Sequence, residues 1–73
     1  MNKISERLKL LRKQKKLYQK DMAVLLNITE RQYNSYEAGK VDLSATKLIF
    51  LADYFDVSLD YLVGRSDNPA RLT

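Results

Sequence analysis

A chain of 73 residues holds one domain and one core, with little room for a deep catalytic cleft. It contains no Cys and no His, which excludes a disulfide framework and removes both the commonest metal ligand and the usual general base near neutral pH; no enzyme chemistry, metal site or cofactor is expected. The net charge of +4 is unevenly spread: the first 20 residues carry eight Lys/Arg against one Glu, and the remainder five Lys/Arg against eight acids. Charge alone leaves open whether this basic segment is a solvated helix face or a surface that meets phosphate. No apolar run is long enough to span a membrane, and the opening MNKISERLKLLRK has no secretory apolar stretch, so a cytoplasmic protein is expected.

Helical spacing of apolar residues is nearly continuous, strand alternation is absent, and the only Gly or Pro residues are Gly39, Gly64 and Pro69. Five helices are predicted. The first spans about Ile4 to Lys15, with Ile4, Leu8 and Leu11 on one stripe and Arg7, Lys9, Lys13 and Lys16 largely off it. The second runs from Gln19 to Leu26 with Leu17, Met22, Ala23 and Leu26 inward, and Asn27 supplies a left-handed stop. The third is capped by Thr29, whose spacing to Gln32 fits a capping box, with Ile28 as a staple to Tyr33; it ends near Glu37, and Gly39 turns the chain. The fourth starts after Ser44 and reaches about Phe55 on a Leu48, Leu51, Ala52, Phe55 stripe. The fifth is short, capped by Ser58 and ended by Gly64, with Leu59 and Leu62 facing in. The predicted core is Leu8, Leu11, Met22, Ala23, Leu26, Ile28, Leu48, Leu51, Ala52, Phe55, Val57 and Leu62. Residues 1–64 form the domain, and 65–73 are expected to be a short flexible tail.

The connection Leu26-Asn27-Ile28-Thr29 joins two short helices by a tight turn, and Ala23 falls where the backbones must approach. This pattern fits a helix-turn-helix, although an ordinary helical hairpin shares much of it. The outer face of the third helix carries Glu30, Arg31, Asn34 and Ser35, donors and acceptors of the kind that read base edges.

The segment LYQKDMAVLLNITERQYNSYEAGK resembles the helix-turn-helix of the phage repressor and Cro family, also called the xenobiotic-response-element family. LIFLADYFDVSLDYLVG resembles that family's fourth and fifth helices, and together the likeness covers about residues 4–64. The resemblance implies an all-α, five-helix lambda-repressor-like domain with the helix-turn-helix in its second and third helices. It further implies sequence-specific binding of double-stranded DNA as a transcriptional regulator, in particular a repressor. Carried over position by position, it implies that Gln19 bonds a phosphate, that Lys40 lies near the backbone, and that Arg12 and Glu37 form a structural ion pair. Glu30, Arg31 and Ser35 match base-meeting positions, with Asn34 beside them. Tyr18 and Thr29 join the phosphate-facing set.

Three departures from the family pattern bear on this. Tyr18 stands where the family usually has a Ser or Thr cap, which forfeits on the order of 1 kcal/mol. Tyr33 replaces the usual β-branched residue and is expected to hold the two helices slightly apart. The loop Val41-Asp42-Leu43 lacks basic residues, and Asp42 would repel phosphate. Family members bind near-palindromic sites as homodimers; Ile49, Phe50, Tyr54, Tyr61 and Val63 are candidates for a dimer patch or for peripheral core. An antitoxin that represses its own operon through a protein partner, and a protein-interaction module that has lost DNA binding, are the alternative readings.

Overall fold

The computed structural model describes residues 3–71, and among these every regular element is a helix: α1 (Lys3–Gln14), α2 (Gln19–Leu26), α3 (Glu30–Glu37), α4 (Ala45–Phe55) and α5 (Leu59–Val63). α2 packs against α3, α1 against both α3 and α5, and α4 against α5. Leu8, Met22, Tyr33, Leu51 and Leu62 are fully buried at the centre. Leu11, Ala23, Leu26, Leu43, Ala52, Phe55 and Val57 complete the core.

All five helices stop in the same way. A residue with positive φ follows each helix: Lys16, Asn27, Gly39, Asp56 and Gly64. The next residue then returns its amide to the carbonyl five positions back: Leu17 to Arg12, Ile28 to Ala23, Lys40 to Ser35, Val57 to Ala52 and Arg65 to Asp60. This is the Schellman arrangement, which satisfies carbonyls that a helix end leaves unpaired. At Gly64 the conformation is reinforced by crowding, since a Cβ there would lie 2.4 Å from Lys3 Cβ. The starts are equally local. Thr29, Ser44 and Ser58 accept the amides of Gln32, Lys47 and Tyr61. Gln32 completes the expected capping box by accepting the Thr29 amide. The Tyr18 side chain makes no cap bond, but Asp21 accepts the Tyr18 amide at 2.7 Å.

The structure corrects the expected inward positions at four residues. Ile28 and Leu48 are half-buried and pack on its edge rather than inside it. Leu59 is exposed: in the five residues of α5, Leu62 is the one that is buried. Leu43, read as a loop residue, is buried between α3 and α4 in sequence and closes the core there.

The tail is not free over its described part, residues 65–71. The Ser58 amide donates to Pro69 O at 2.9 Å. Arg7 donates to the carbonyls of Tyr61 and Ser66 and pairs with Asp67 at 2.8 Å, its guanidinium 4.0 Å above the Tyr61 ring. Arg71 reaches Ala52 O and pairs with Asp53. Polar groups make these contacts between the segment and the body of the domain. Leu72 and Thr73 lie outside the described residues.

The long-range polar centre is a carboxylate. Glu37, at the end of α3, accepts from Arg12 Nε at 2.7 Å and Arg12 Nη2 at 3.1 Å, from Tyr33 Oη at 2.5 Å and from Gln19 Nε2 at 3.1 Å. Arg12 also donates to Leu17 O at 2.9 Å. The two charged side chains are 10% and 4% exposed, and no buried side-chain polar atom among the described residues lacks a partner. Burial alone would raise the Glu37 pKa, but the bonds from Arg12, Tyr33 and Gln19 outweigh it and hold the carboxyl below its ordinary range. Burial, with the carboxylate beside it, pushes the Tyr33 phenol up. The bond to Glu37 raises Arg12 against the opposing effect of burial.

Arg12→Met and Glu37→Met are each expected to destabilise by about 3–5 kcal/mol, because each strands a buried charge, whereas the double substitution should be milder than either; urea unfolding of the three variants checks this. A lowered folded pKa means that Glu37 contributes fully above the ordinary carboxylate value of about 4.3, and that the contribution is lost as pH falls through the folded value. Glu37→Gln should therefore flatten the acid limb of stability against pH. For the tail, Arg7→Ala should destabilise by about 1–3 kcal/mol by leaving partly buried carbonyls unpaired, and Arg71→Ala by less than about 1 kcal/mol because its pairs are solvent-screened. Denaturant midpoints, with tryptic cleavage after Arg65 as a report on tail release, distinguish the two.

Candidate nucleic-acid interface

The turn between α2 and α3 is built by three adjacent residues. Asn27, at φ 57°, reverses the chain. Ile28 packs on the core, and Thr29 opens α3 in extended geometry. Ala23, 4% exposed, is buried on the inner face of α2. α3 is thereby held by its inner residues, with Tyr33 fully buried and Tyr36 packed edge-on to it at 6.4 Å between ring centres.

The outer side of α3 is polar. Glu30, Arg31 and Asn34 are exposed, and Glu30 and Arg31, four and three residues before Asn34, each neighbour it on the helix surface. Ser35 lies at the edge of this face, half-buried, and its hydroxyl donates back to Arg31 O at 3.3 Å. It borders a second shallow groove with Gln32, Tyr36 and Val41.

A groove between the starts of α2 and α3 gathers Tyr18, Gln19, Lys20 and Glu30, with Arg12 at its side. Two expected phosphate-facing residues and one expected base-facing residue therefore share one concavity. Tyr18 is 69% exposed, and Lys20 Nζ lies 5.6 Å from its ring centre. Gln19 is half-buried, and its amide is bonded to Glu37. Thr29 Oγ1 is engaged as acceptor for the Gln32 amide. Lys40 is exposed just beyond the Gly39 turn, with its backbone amide bonded to Ser35 O at 3.0 Å. It stands outside that groove, at the other end of α3. The expected Arg12–Glu37 pair is present and two-pronged.

Lys20 was not among the residues singled out from the sequence, although its place in the first turn of α2 beside Gln19 was a usable signal. The Tyr33 hydroxyl was missed as well, because the residue reads as packing until its fourth-neighbour spacing to Glu37 is considered. Of the candidate dimer patch, Ile49, Phe50 and Tyr54 are exposed, with the Phe50 and Tyr54 rings stacked at 6.4 Å. Tyr61 is covered by Arg7 and Val63 is half-buried.

The helix-turn-helix family model matches residues 8–62. The chain is 47% identical over 64 residues to the uncharacterised HTH-type transcriptional regulator YqaE of Bacillus subtilis (strain 168), covering 88% of this chain and 55% of that protein. It is 39% identical over 64 residues to the uncharacterised HTH-type transcriptional regulator YobD of the same organism, covering 88% and 57%. The crystal structure of a transcriptional regulator from Listeria innocua superposes with a TM-score of 0.80 at 39% identity, covering 84% of this chain and 57% of that one. The chain thus spans little more than half the length of these relatives. With five helices in the order described and the turn at Asn27 joining the second to the third, the chain belongs to the helix-turn-helix family of the Cro/C1 type.

Proposed function

We propose that this chain binds double-stranded DNA sequence-specifically as a transcriptional regulator, acting as a repressor, with α3 lying in the major groove. The observation that carries this reading is the single polar surface made by the first turns of α2 and α3, where Gln19, Lys20 and Glu30 line one groove beside exposed Arg31 and Asn34. A phosphate strand against α2 and base edges against α3 use these groups in the roles their chemistry suits. Gln19 and Lys20 donate to phosphate oxygens, and Tyr18 brings a phenol to the same strand. The Thr29 oxygen is taken by its cap bond, so its hydroxyl hydrogen is the part able to meet phosphate. Lys40 engages backbone beyond the far end of α3. Arg31 suits guanine O6 and N7, the commonest specific contact, and Glu30 suits an amino group on cytosine or adenine.

One helix of this size reads few base pairs, which favours a homodimer on a near-palindromic operator with half-sites about one turn apart. The exposed stack of Phe50 and Tyr54 with Ile49 supplies apolar surface for such a pairing. This role is a cytoplasmic one. Among the described residues no helix is long and apolar enough to cross a membrane.

Sequences selected by the chain from a random duplex pool give the operator for the test. Arg31→Ala is expected to weaken binding to it by about 1–3 kcal/mol and to relax preference at one base pair. Gln19→Ala should weaken matched and mismatched duplexes by similar factors, with the dependence of affinity on salt unchanged because no charge is removed. Lys40→Ala should lower the slope of log affinity against log salt by about 0.9 per protomer. Titrations at several salt concentrations read all three. Equal losses on matched and mismatched DNA for Arg31→Ala would move that residue to the backbone, and absence of any selected sequence would overturn the reading as a whole.

A further inference from the structure

A side-chain amide has a donating end and an accepting end, and rotation about its last bond exchanges them. At Gln19 the exchange is blocked. Nε2 lies 3.1 Å from Glu37 Oε1, and an ionised carboxylate can only accept. The reversed amide would set a carbonyl oxygen against a carboxylate oxygen. The carboxylate is itself fixed, because Arg12 grips both its oxygens and Tyr33 holds Oε2. Nε2 carries two hydrogens and Glu37 takes one. The other is left for the groove that Gln19 lines with Tyr18, Lys20 and Glu30.

We propose that Glu37 is a positioning residue for DNA-backbone recognition: it does not meet DNA, but it fixes the Gln19 amide so that an N–H, and not a carbonyl, is presented to a phosphate oxygen. This rests on the reading of Gln19 as a backbone contact. A glutamine free at the start of α2 would lose side-chain freedom on binding and would have to choose between two amide orientations, one of which turns oxygen toward phosphate. The bond to Glu37 settles both before DNA arrives, which is preorganisation in its ordinary sense. The same bond makes the buried charge pair part of the interface, since the network that holds α1 to α3 also aims the side chain at the start of α2.

The test compares the cost of Gln19→Ala for operator binding in three backgrounds. In the wild-type chain it should be about tenfold, a hydrogen bond to a charged group. It should stay about tenfold in Tyr33→Phe, which loosens the network but leaves the Glu37 bond to Gln19. It should fall below about twofold in the Arg12→Met, Tyr33→Phe, Glu37→Met triple variant, which removes the anchor without stranding a charge. The same factor in all three overturns the proposal and leaves DNA reading by α3 intact. No cost in the wild-type chain overturns it as well, by removing Gln19 from the interface. Failure of the wild-type chain to bind any selected duplex overturns both this proposal and the reading beneath it. Should the triple variant not fold, nuclear magnetic resonance of the free wild-type chain decides the point. One Gln19 side-chain amide proton should resonate well downfield of the pair from exposed Gln14, and coincidence of the two pairs overturns the proposal.

Discussion

The arrangement of this domain depends on one buried carboxylate. Glu37 is the last residue of α3, and its donors come from α1, from the first residue of α2 and from α3 itself. Taking a carboxylate out of water costs several kcal/mol, and the cost is offset only when the charge is paired and its lone pairs are filled. Four donated bonds meet that condition. They meet it in one geometry, so the carboxylate converts a tolerance for approximate packing into a fixed angle between α1 and the helix-turn-helix. A core of Leu, Met and Phe resists separation but resists sliding less well, because apolar contact has no direction.

That directional hold matters most for α3. Of its eight residues Tyr33 is the one buried whole, beside the sheltered carboxylate of Glu37; most of the others face outward and are polar. An aromatic ring of this size buries about 150–250 Å², worth on the order of 4–6 kcal/mol as an upper bound. One ring therefore carries most of the apolar attachment of the helix, while its hydroxyl joins the carboxylate network. The remaining face is left free of packing duties. Exposed outer residues such as Arg31 and Asn34 can vary to suit a ligand without loss of fold, and the proposed reading of DNA by α3 needs that separation.

What was legible in the sequence was mostly what is local. Asn27, Thr29 with Gln32, Gly39, Ser44, Ser58 and Gly64 mark helix ends through backbone chemistry confined to a few residues, and the structure places those ends within a residue or two of the expectation. Lys16 and Asp56 also adopt positive φ; Asp tolerates that conformation, Lys does not announce it, and each is followed by a residue that packs on the core, Leu17 and Val57. The Arg12–Glu37 pair was legible through family likeness alone; nothing in the spacing of two charges 25 positions apart marks them as partners. Arg7 was lost for the same reason, its partners lying 54 to 60 residues away. The exposed grouping of Glu30, Arg31 and Asn34 could be read from helical periodicity, whereas the groove that Glu30 shares with Tyr18, Gln19 and Lys20 needed the angle between two helices.

The uniform helix endings carry a kinetic consequence. Each stop signal is complete within about six residues, so helix length and the direction of the following turn are decided without reference to the rest of the chain. Loop-closure entropy is then small for most of the native structure, and low contact order of this kind goes with folding in microseconds to milliseconds. Among the distant links the polar ones, Arg12 to Glu37 and Arg7 to the α5 carbonyl, demand exact alignment, so they are expected to form after the helices have met and to do little to set the folding rate. They act on the reverse step: bonds absent from the transition state must be broken to leave the native state, and they lengthen its lifetime. A domain that assembles through local endings and is latched by distant charges is expected to fold fast and let go slowly.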